Sequence, residues 1–169
     1  ARILLEPEPK NTAPALTLAA LAAQDINSDS VLVVTPADHY VKDLNQFTLV
    51  MHQAIKAVQG KTIVTLGINP TRPDTGFGYI HYEGEGLVKN VLTFKEKPEL
   101  QVAKELIEQG QHAWNGGIFI FQSMTWLDAI QQSNPEIFKS VNNAWKNKKT
   151  DKWFERADSE LFKQSPSDS

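Results

Sequence analysis

The stretch Val31-Leu32-Val33-Val34-Thr35-Pro36-Ala37-Asp38-His39 decides the fold of this chain. Its four consecutive aliphatic residues predict a short strand that is buried on both faces, as in a parallel sheet. Pro36 ends that strand, because it has no N–H group to donate to a central ladder. Asp38 therefore follows the carboxyl end of the strand, and open α/β sheets bind their ligands in the crevice outside those ends.

Two interpretations of Asp38 stay open from this pattern. A carboxylate at a strand end can hold a hard cation such as Mg²⁺ against a phosphate group, since Mg²⁺ prefers oxygen ligands. Alternatively, Asp38 only caps the turn that follows the strand.

The composition is that of an ordinary globular chain, and 169 residues suffice for one domain with its own core. The net charge of -3 argues against nonspecific binding of nucleic acid. Because the sequence has no cysteine, it excludes a disulfide framework and a thiolate metal site. No apolar run approaches membrane-spanning length and no signal-peptide pattern opens the chain, so we expect a cytoplasmic protein without a membrane partner.

Strand and helix patterns alternate along the chain. Besides the strand at 31–34, they predict strands at 3–5, 62–68, 79–82, 87–94 and 116–122, and helices at 15–24, 44–58 and 98–109. From about residue 123 onward the pattern is helical, which indicates a helical layer added to the sheet. The alternation predicts an α/β fold with a mainly parallel sheet. We expect residues 1–169 to be part of one domain that is incomplete at both ends, because a strand opens the chain without a preceding Met.

The loops after the predicted strands carry the candidate chemistry, in Asp38, Gly76, Gly78, Glu96, Lys97, Asn115 and Gly116. Glycines let a backbone approach a ligand closely, although turn geometry alone also explains them. Glu96 follows Leu92 and Phe94 on one face of a strand, and a carboxylate that ends an apolar face usually points into a cleft or toward a partner. The alternative for Glu96 and Lys97 is an exposed ion pair. Together these residues favour an α/β domain that handles phosphates or sugars.

Other catalytic patterns are missing from the sequence. The four histidines lack the spacing of a zinc site, and we interpret them as surface or loop residues. Neither a Ser-His-Asp or Cys-His set nor a Walker-type phosphate loop is suggested. We interpret three tryptophans of the helical tail as core residues, Trp126, Trp145 and Trp153.

Five motifs occur in order along the chain. They are Glu6-Pro7-Glu8-Pro9-Lys10-Asn11-Thr12-Ala13-Pro14-Ala15, Thr35-Pro36-Ala37-Asp38-His39, Asp74-Thr75-Gly76-Phe77-Gly78-Tyr79-Ile80, Phe94-Lys95-Glu96-Lys97-Pro98 and Trp114-Asn115-Gly116-Gly117-Ile118-Phe119. Each motif is weak alone, whereas five in order at matching spacing are a strong signal. Together they resemble the bacterial mannose-1-phosphate guanylyltransferases, including the longer forms fused to a phosphomannose isomerase.

The resemblance implies a Rossmann-like nucleotidyltransferase fold. It also implies transfer of GMP from GTP to mannose 1-phosphate, which gives pyrophosphate and GDP-mannose for polysaccharide biosynthesis. The sugar phosphate would attack the α-phosphorus in line, so the task of the protein is to position the reactants and neutralise charge. Mg²⁺ is the implied cofactor, and GTP and mannose 1-phosphate are the implied partners.

The resemblance also implies roles for individual residues. Asp38 would hold the Mg²⁺ ion and Lys97 would neutralise the sugar phosphate, which makes these two the expected catalytic residues. The expected substrate-binding residues are Gly76, Gly78, Glu96, Asn115 and Gly116 on the sugar side, and Lys10, Asn11 and Ala13 near the guanine.

Two departures from the family pattern change what we expect of this chain. Pro9-Lys10 stands where the family usually has Gly-Arg, so an amide donor and a guanidinium fork are lost near the base. The family's Gly-rich phosphate loop and its second metal-binding Asp would lie outside residues 1–169. We therefore expect the chain alone to be inactive or nearly so, and to bind sugar phosphate at most.

Three other functions stay open from the sequence. The nearest is another sugar-1-phosphate nucleotidyltransferase, such as a glucose-1-phosphate thymidylyltransferase. A second is a non-catalytic sugar-phosphate-binding or regulatory domain, and a third is an α/β domain without a ligand. The sequence also leaves open whether the protein forms a homo-oligomer.

Overall fold

The computed structural model describes residues 2–28 and 30–168, and the predicted elements lie close to their expected positions. The strands are β1 (Ile3–Leu5), β2 (Val31–Val34), β3 (Ile63–Ile68), β4 (Tyr79–Glu83), β5 (Asn90–Lys95), β6 (His112–Gln122), β7 (Lys149–Asp151) and β8 (Phe154–Arg156). The helices are α1 (Thr12–Gln24), α2 (Leu44–Ala57), α3 (Leu100–Gln109), α4 (Ser123–Ser133), α5 (Pro135–Lys146) and α6 (Ser159–Lys163).

Differences from the sequence-based expectations lie at element ends and in the tail. Strand β6 begins earlier than expected and β5 begins later. The tail after residue 123 contains α4, α5 and α6, but the short strands β7 and β8 interrupt it. The segment Lys149-Thr150-Asp151 carries no apolar alternation, so the hydrophobic pattern could not reveal that strand.

The strands form two sheets. In the first, with the order β1-β8-β7, β1 is parallel to β8 and β7 is antiparallel to it. In the second, with the order β2-β6-β4-β5, β4 is antiparallel to both of its neighbours, and β3 also pairs with β6. The predicted α/β class is confirmed, with both parallel and antiparallel pairs among the strands.

Contacts divide the chain into two compact units. The first unit contains residues 1–32 and 121–169, and the second unit contains residues 33–120, so the boundary falls within β2 and within β6. The expectation that residues 1–169 are part of one domain stays a prediction. Among the described residues, no helix combines the length and the apolar character that crossing a membrane requires.

Strand β2 is less buried than its sequence predicted. Val31 and Val33 are 41% and 43% exposed, while Leu32 and Val34 between and after them are half-buried. One face of the strand is therefore open, and the expectation of burial on both faces is wrong. An aliphatic run does not show that its strand lies at an end of the sheet order, which is where β2 lies.

The core of the first unit explains why α1 is apolar on nearly all sides. Leu18 and Ala20 of α1 are buried in one cluster with residues of α4 and α5. On α5, Ile137, Val141 and Ala144 recur at helical spacing and are fully buried in the same cluster. Helix α1 thus packs against two helices at once, and this leaves it little polar surface.

In the second unit, α2 and α3 pack on the sheet in two separate clusters. Ala54 of α2 lies in one cluster with Ile120 of β6. Ala103 of α3 lies in another with Tyr79 of β4 and Trp114 of β6. The packing of α3 therefore fixes Tyr79 at the start of β4 and Trp114 near the start of β6.

Two side chains differ from the environments that we expected. His112 is only 8% exposed, because β6 begins there and pairs with β4. Its ring stacks on His81 with 4.5 Å between the centroids, and its Nδ1 lies 2.6 Å from the Gly110 carbonyl oxygen. Trp153 is 66% exposed, so its assignment to the core is wrong, whereas Trp145 is buried as expected.

A buried hydroxyl in α1 links two elements of the first unit. Thr17 is fully buried, and its Oγ1 donates to the Ala13 carbonyl at 2.8 Å and accepts from the Trp126 Nε1–H at 3.1 Å. Thr48 of α2 donates in the same way to the Leu44 carbonyl at 2.7 Å, but it is exposed.

We expect Thr17→Val to lower the free energy of unfolding by about 1–3 kcal/mol, because the Trp126 indole N–H loses its acceptor inside the core. The matched control Thr48→Val should lower it by less than about 0.5 kcal/mol. Urea unfolding of both variants measures the difference. Equal losses would contradict a structural role for the Thr17–Trp126 bond.

Candidate functional site

A cavity of about 590 Å³ opens in the second unit beside the carboxyl ends of β2 and β3. This is the position at which α/β sheets bind ligands. The described residues that line it are Asp38, His39, Tyr40, Val41, Phe47, Val50, Leu66, Gly67, Ile68, Phe77, Trp114, Asn115, Gly116, Gly117 and Ile118. Three residues assigned from the sequence, Asp38, Asn115 and Gly116, therefore share one cavity.

Asn115 connects three segments around this cavity. Its side-chain Oδ1 accepts hydrogen bonds from Thr65 Oγ1 of β3 at 3.0 Å and from the Gly117 N–H at 3.2 Å. Its backbone N–H donates to the Gly78 carbonyl at 2.8 Å. Asn115 thus fixes β3, its own strand β6 and the segment before β4 relative to one another.

Two glycines after Asn115 allow backbones to approach closely. A Cβ atom on Gly116 would lie 2.8 Å from the Leu66 carbonyl oxygen, a distance that real side chains do not tolerate. Gly117 has a φ of +67°, and a Cβ there would lie 3.4 Å from Pro36 Cγ. Gly116 therefore permits the close approach of β3 to β6, and Gly117 is favoured by its positive φ beside the segment that carries Asp38.

Gly78 brings Glu96 to the edge of the same region. A Cβ on Gly78 would lie 2.6 Å from Phe94 Cζ and 2.8 Å from Glu96 Oε2, so both side chains face this glycine. Lys97 Nζ lies 3.6 Å from Glu96 Oε1, and both side chains are more than half exposed. At that distance in solvent the pair contributes little to stability, which leaves Lys97 available to a ligand anion.

Backbone strain marks two of the residues assigned from the sequence. Lys97 has a φ of +39° although it precedes Pro98, and the residue before a proline normally prefers extended backbone. Asn11 has φ +63° and ψ -163°, a region that is essentially restricted to glycine. Strain of this kind clusters at binding and catalytic sites, so both positions are candidates for function on geometric grounds.

The loop of residues 72–79, called here the Asp74 loop, is organised by the carboxylate of Asp74. Its Oδ1 accepts from the Gly76 N–H at 2.9 Å, and Arg72 Nη2 lies 2.5 Å from its Oδ2. The Tyr79 hydroxyl accepts from the Asp74 N–H and donates to the Asp74 carbonyl, both at 3.0 Å. The Gly76 hydrogen bond and, after it, the Arg72 guanidinium lower the pKa of Asp74.

Trp114 forms one wall of the cavity, and two residues of the Asp74 loop lie against its ring. The Phe77 and Trp114 ring centroids are 5.0 Å apart, and Arg72 Cζ lies 5.5 Å from the Trp114 ring centroid. Trp114 is 7% exposed, and its buried Nε1–H has no hydrogen-bond partner among the described residues. The Trp114 ring therefore contacts both a cation and a second aromatic ring.

Lys10, Asn11 and Ala13 lie in the first unit. Lys10 Nζ donates to the Lys163 carbonyl at 3.1 Å and lies 2.9 Å from Glu8 Oε1. Ala13 is 5% exposed, and its N–H donates to the Asp168 carbonyl at 3.0 Å. In this arrangement the Ala13 amide is already used, so a ligand there would meet the side chains of its neighbours first.

The sequence analysis did not single out four residues that line the cavity. Trp114 and Gly117 flank the Asn115-Gly116 pair, Phe77 lies between two assigned glycines, and His39 follows Asp38. Each is a direct neighbour of an assigned residue, so adjacency within a motif was the signal that could have found them. Four residues assigned from the sequence are not among the described residues that line the cavity: Gly76, Gly78, Glu96 and Lys97. Gly76 instead donates its N–H to Asp74 Oδ1.

The carboxylate at the cavity fits Mg²⁺ that is bound mainly by substrate phosphates and water. Asp38 is the carboxylate among the described residues that line the cavity, and residues 2–28 and 30–168 contain no cluster of three or more His, Asp or Glu side chains that could hold a metal. Mg²⁺ is commonly bound by one or two carboxylates together with substrate phosphates and water. A single exposed carboxylate at the edge of an open cavity suits that mode, whereas the described residues do not form a closed protein cage.

Comparison with known proteins identifies relatives of the whole chain. Residues 1–159 match the family model described as nucleotidyl transferase. The chain is 39% identical over 167 residues to the xanthan biosynthesis protein XanB of Xanthomonas campestris, which covers 99% of this chain and 36% of that protein. It is 39% identical over 173 residues to the mannose-1-phosphate guanylyltransferase RfbM of Salmonella typhimurium, again over 99% of this chain and 36% of that protein. The chain thus spans little more than a third of the length of these relatives.

Solved structures share the fold at somewhat lower identity. A structure described as mannose-1-phosphate geranyltransferase from Thermus thermophilus has a TM-score of 0.87 at 30% identity, over 99% of this chain and 47% of that one. A structure described as mannose-6-phosphate isomerase from Helicobacter pylori has the same TM-score of 0.87 and 30% identity, over 99% of this chain and 64% of that one. The expected Rossmann-like nucleotidyltransferase fold is therefore confirmed. With a family match over most of its length, this chain belongs to the nucleotidyl transferase family.

Proposed function

We propose that the protein carrying this chain transfers GMP from GTP to mannose 1-phosphate, giving GDP-mannose and pyrophosphate. The observation that carries the proposal is the cavity at the ends of β2 and β3, which Asp38, Asn115 and Gly116 line together. Similarity to proteins named mannose-1-phosphate guanylyltransferase supports the choice of sugar and nucleotide.

The sugar would bind along the arc from Asn115 to Glu96. The Oδ1 of Asn115 is engaged by Thr65 and Gly117, so its Nδ2 amide, which those two bonds do not use, is the group we assign to a sugar hydroxyl. Glu96 would accept hydrogen bonds from further hydroxyls. Gly76, Gly78 and Gly116 would supply close backbone contact.

The phosphates would lie between Asp38 and Lys97. Asp38 would hold Mg²⁺, which would supply positive charge to neutralise the phosphates. Lys97 would neutralise the phosphate of the sugar, which then attacks the α-phosphorus in line while pyrophosphate leaves from the opposite side. Neither side chain takes part in bond formation, so their contribution is position and charge.

The guanine would be recognised by the segment around Lys10, Asn11 and Ala13. The strained backbone of Asn11 supports a binding role for this segment. Because Pro9 donates no N–H group, side chains and not the Pro9 amide would have to read the base there. The cytoplasmic location and the homo-oligomeric state considered from the sequence stay predictions.

The direct test is an assay of GDP-mannose formation by the purified protein that carries this chain, in which the release of pyrophosphate is measured. We expect product from GTP and mannose 1-phosphate with Mg²⁺, and little from dTTP and glucose 1-phosphate. Preference for dTTP with glucose 1-phosphate would favour the thymidylyltransferase alternative. Absence of any transfer, with sugar phosphate still bound, would favour a non-catalytic domain.

For Asp38→Ala we expect kcat to fall by about a hundredfold or more, because several kcal/mol of charge stabilisation at the phosphates depend on the bound cation. The melting temperature should stay close to that of the unchanged protein, since Asp38 is exposed. Asp151→Asn, at an exposed aspartate of β7, is the matched control. A near-normal rate for Asp38→Ala across a Mg²⁺ titration would refute the metal role.

For Lys97→Ala we expect the KM for mannose 1-phosphate to rise about tenfold to a hundredfold, since a hydrogen bond between two charged groups is lost. The KM for GTP should change far less. Lys104→Ala removes an exposed lysine of α3 and controls for net charge. Initial rates at varied concentrations of each substrate measure both constants, and equal changes in the two would count against this placement of Lys97.

A further inference from the structure

The Asp74 loop shapes the cavity, yet the carboxylate that organises the loop is not among the described residues of the lining. Phe77 is the residue of the loop that faces the cavity. Asp74 itself is occupied by groups of its own loop, with Gly76 on one oxygen and Arg72 on the other. A carboxylate satisfied in this way is not a ligand for substrate, and this raises the question of what it contributes.

We infer that Asp74 is a positioning residue: it holds the loop in the conformation that packs Phe77 and Arg72 on Trp114 and presents Gly78 to Asn115. This inference rests on the proposed function, since it assigns the loop to the sugar-phosphate end of that same site. It adds a residue that acts through its neighbours and does not touch the substrate.

The bonds of Asp74 fix both ends of the loop. At the far end, the Tyr79 hydroxyl holds the Asp74 backbone on both its N–H and its carbonyl, and Tyr79 is itself buried against α3. Within the loop, the carboxylate draws in the Gly76 amide and the Arg72 guanidinium together. Three anchors therefore converge on one residue, and all of them come from the loop itself.

The position of the loop is transmitted to the site by two contacts. Arg72 and Phe77 both lie against Trp114, whose ring forms a wall of the cavity. Gly78 accepts the Asn115 N–H at 2.8 Å. If the loop relaxes, the wall and the Asn115 backbone lose their supports together, and a displacement near 1 Å is enough to weaken a positioned ligand strongly.

The negative charge of Asp74 contributes to holding the loop. The Gly76 amide and Arg72 lower the pKa of this carboxyl group below its ordinary value. The ionised carboxylate therefore stabilises the loop fully at pH values above about 4, the ordinary pKa of an aspartate. This stabilisation is lost as the pH falls through the lower pKa that Asp74 has in the folded loop. At neutral pH the clamp is therefore fully charged.

Four variants of the protein that carries this chain test the inference. Asp74→Ala removes both clamping interactions, whereas Asp74→Asn keeps an oxygen for the Gly76 N–H and loses only the ion pair. Arg72→Ala removes the same ion pair from the other side, together with the contact of Arg72 with Trp114. Asp158→Asn is the matched control, because Asp158 Oδ1 accepts the Leu161 N–H at 3.0 Å at the start of α6, in the other unit.

The expected result is a split between the two substrates. Asp74→Ala should raise the KM for mannose 1-phosphate about tenfold, with the KM for GTP within about twofold and kcat nearly unchanged. Asp74→Asn and Arg72→Ala should have smaller effects, and the double variant should show less than the sum of the two, because both remove the same ion pair while Arg72→Ala alone also removes the contact with Trp114. Asp158→Asn should leave every kinetic constant unchanged.

Either of two results would overturn the inference. One is an equal rise in both KM values in Asp74→Ala, which indicates general loosening of the fold. The other is full additivity of Arg72→Ala and Asp74→Asn, which indicates that the two side chains act separately.

A readout without substrate separates this inference from the proposed function. If the unchanged protein makes no GDP-mannose, the proposed function fails, while the loop is still judged by the NMR signal of the Trp114 indole N–H. That signal should move, and exchange faster with solvent, in Asp74→Ala but not in Asp158→Asn. An indole signal that is identical in all variants would overturn the positioning role, whatever the activity.

Discussion

The side-chain oxygen of Asn115 is the point on which the cavity depends. It accepts hydrogen bonds from Thr65 on β3 and from the Gly117 amide on β6, while the Asn115 N–H reaches Gly78. An aspartate would offer similar acceptors but would bring a charge and lose the Nδ2 amide that we assign to the sugar. A hydrophobic residue of the same size would leave the Thr65 hydroxyl and the Gly117 amide without this acceptor. One amide therefore sets the spacing of the strands and offers a donor to a ligand.

Glycines complete this arrangement because they remove side chains where backbones meet. The Leu66 carbonyl approaches Gly116 too closely for any Cβ, and the φ of Gly117 excludes most other residues. Gly78 gives the same freedom at the Glu96 side. Glycines also make the backbone of these segments more flexible. The contacts of the Asp74 loop and the packing of α3 against Trp114 restrict that flexibility. The polar side chains that we propose for phosphate and sugar are thus held by contacts within the chain itself.

The rule that ligands bind at strand ends pointed to Asp38 from the sequence, because Asp38 directly follows a predicted strand. Asn115 lies within β6, and its assignment to the same site came from the family resemblance. The same pattern could not identify Trp114, since an aromatic residue before a strand looks like a core residue whether or not it lines a cavity. Burial of His112 depends on the pairing of β4 with β6, a contact between distant segments that periodicity does not report. Exposure of one face of β2 depends on what packs against that face, which a short aliphatic run does not report.

The central claim is that Asp38 and the Asn115-Gly116 segment face the same ligand. A titration of the ¹⁵N-labelled chain with mannose 1-phosphate and Mg²⁺, followed by NMR, tests it most directly. The account predicts that the Asn115 Nδ2 amide and the backbone amides of Asp38 and Gly116 shift together, with one apparent Kd. Shifts confined to residues 123–163, with these three signals unmoved at saturating ligand, would contradict it.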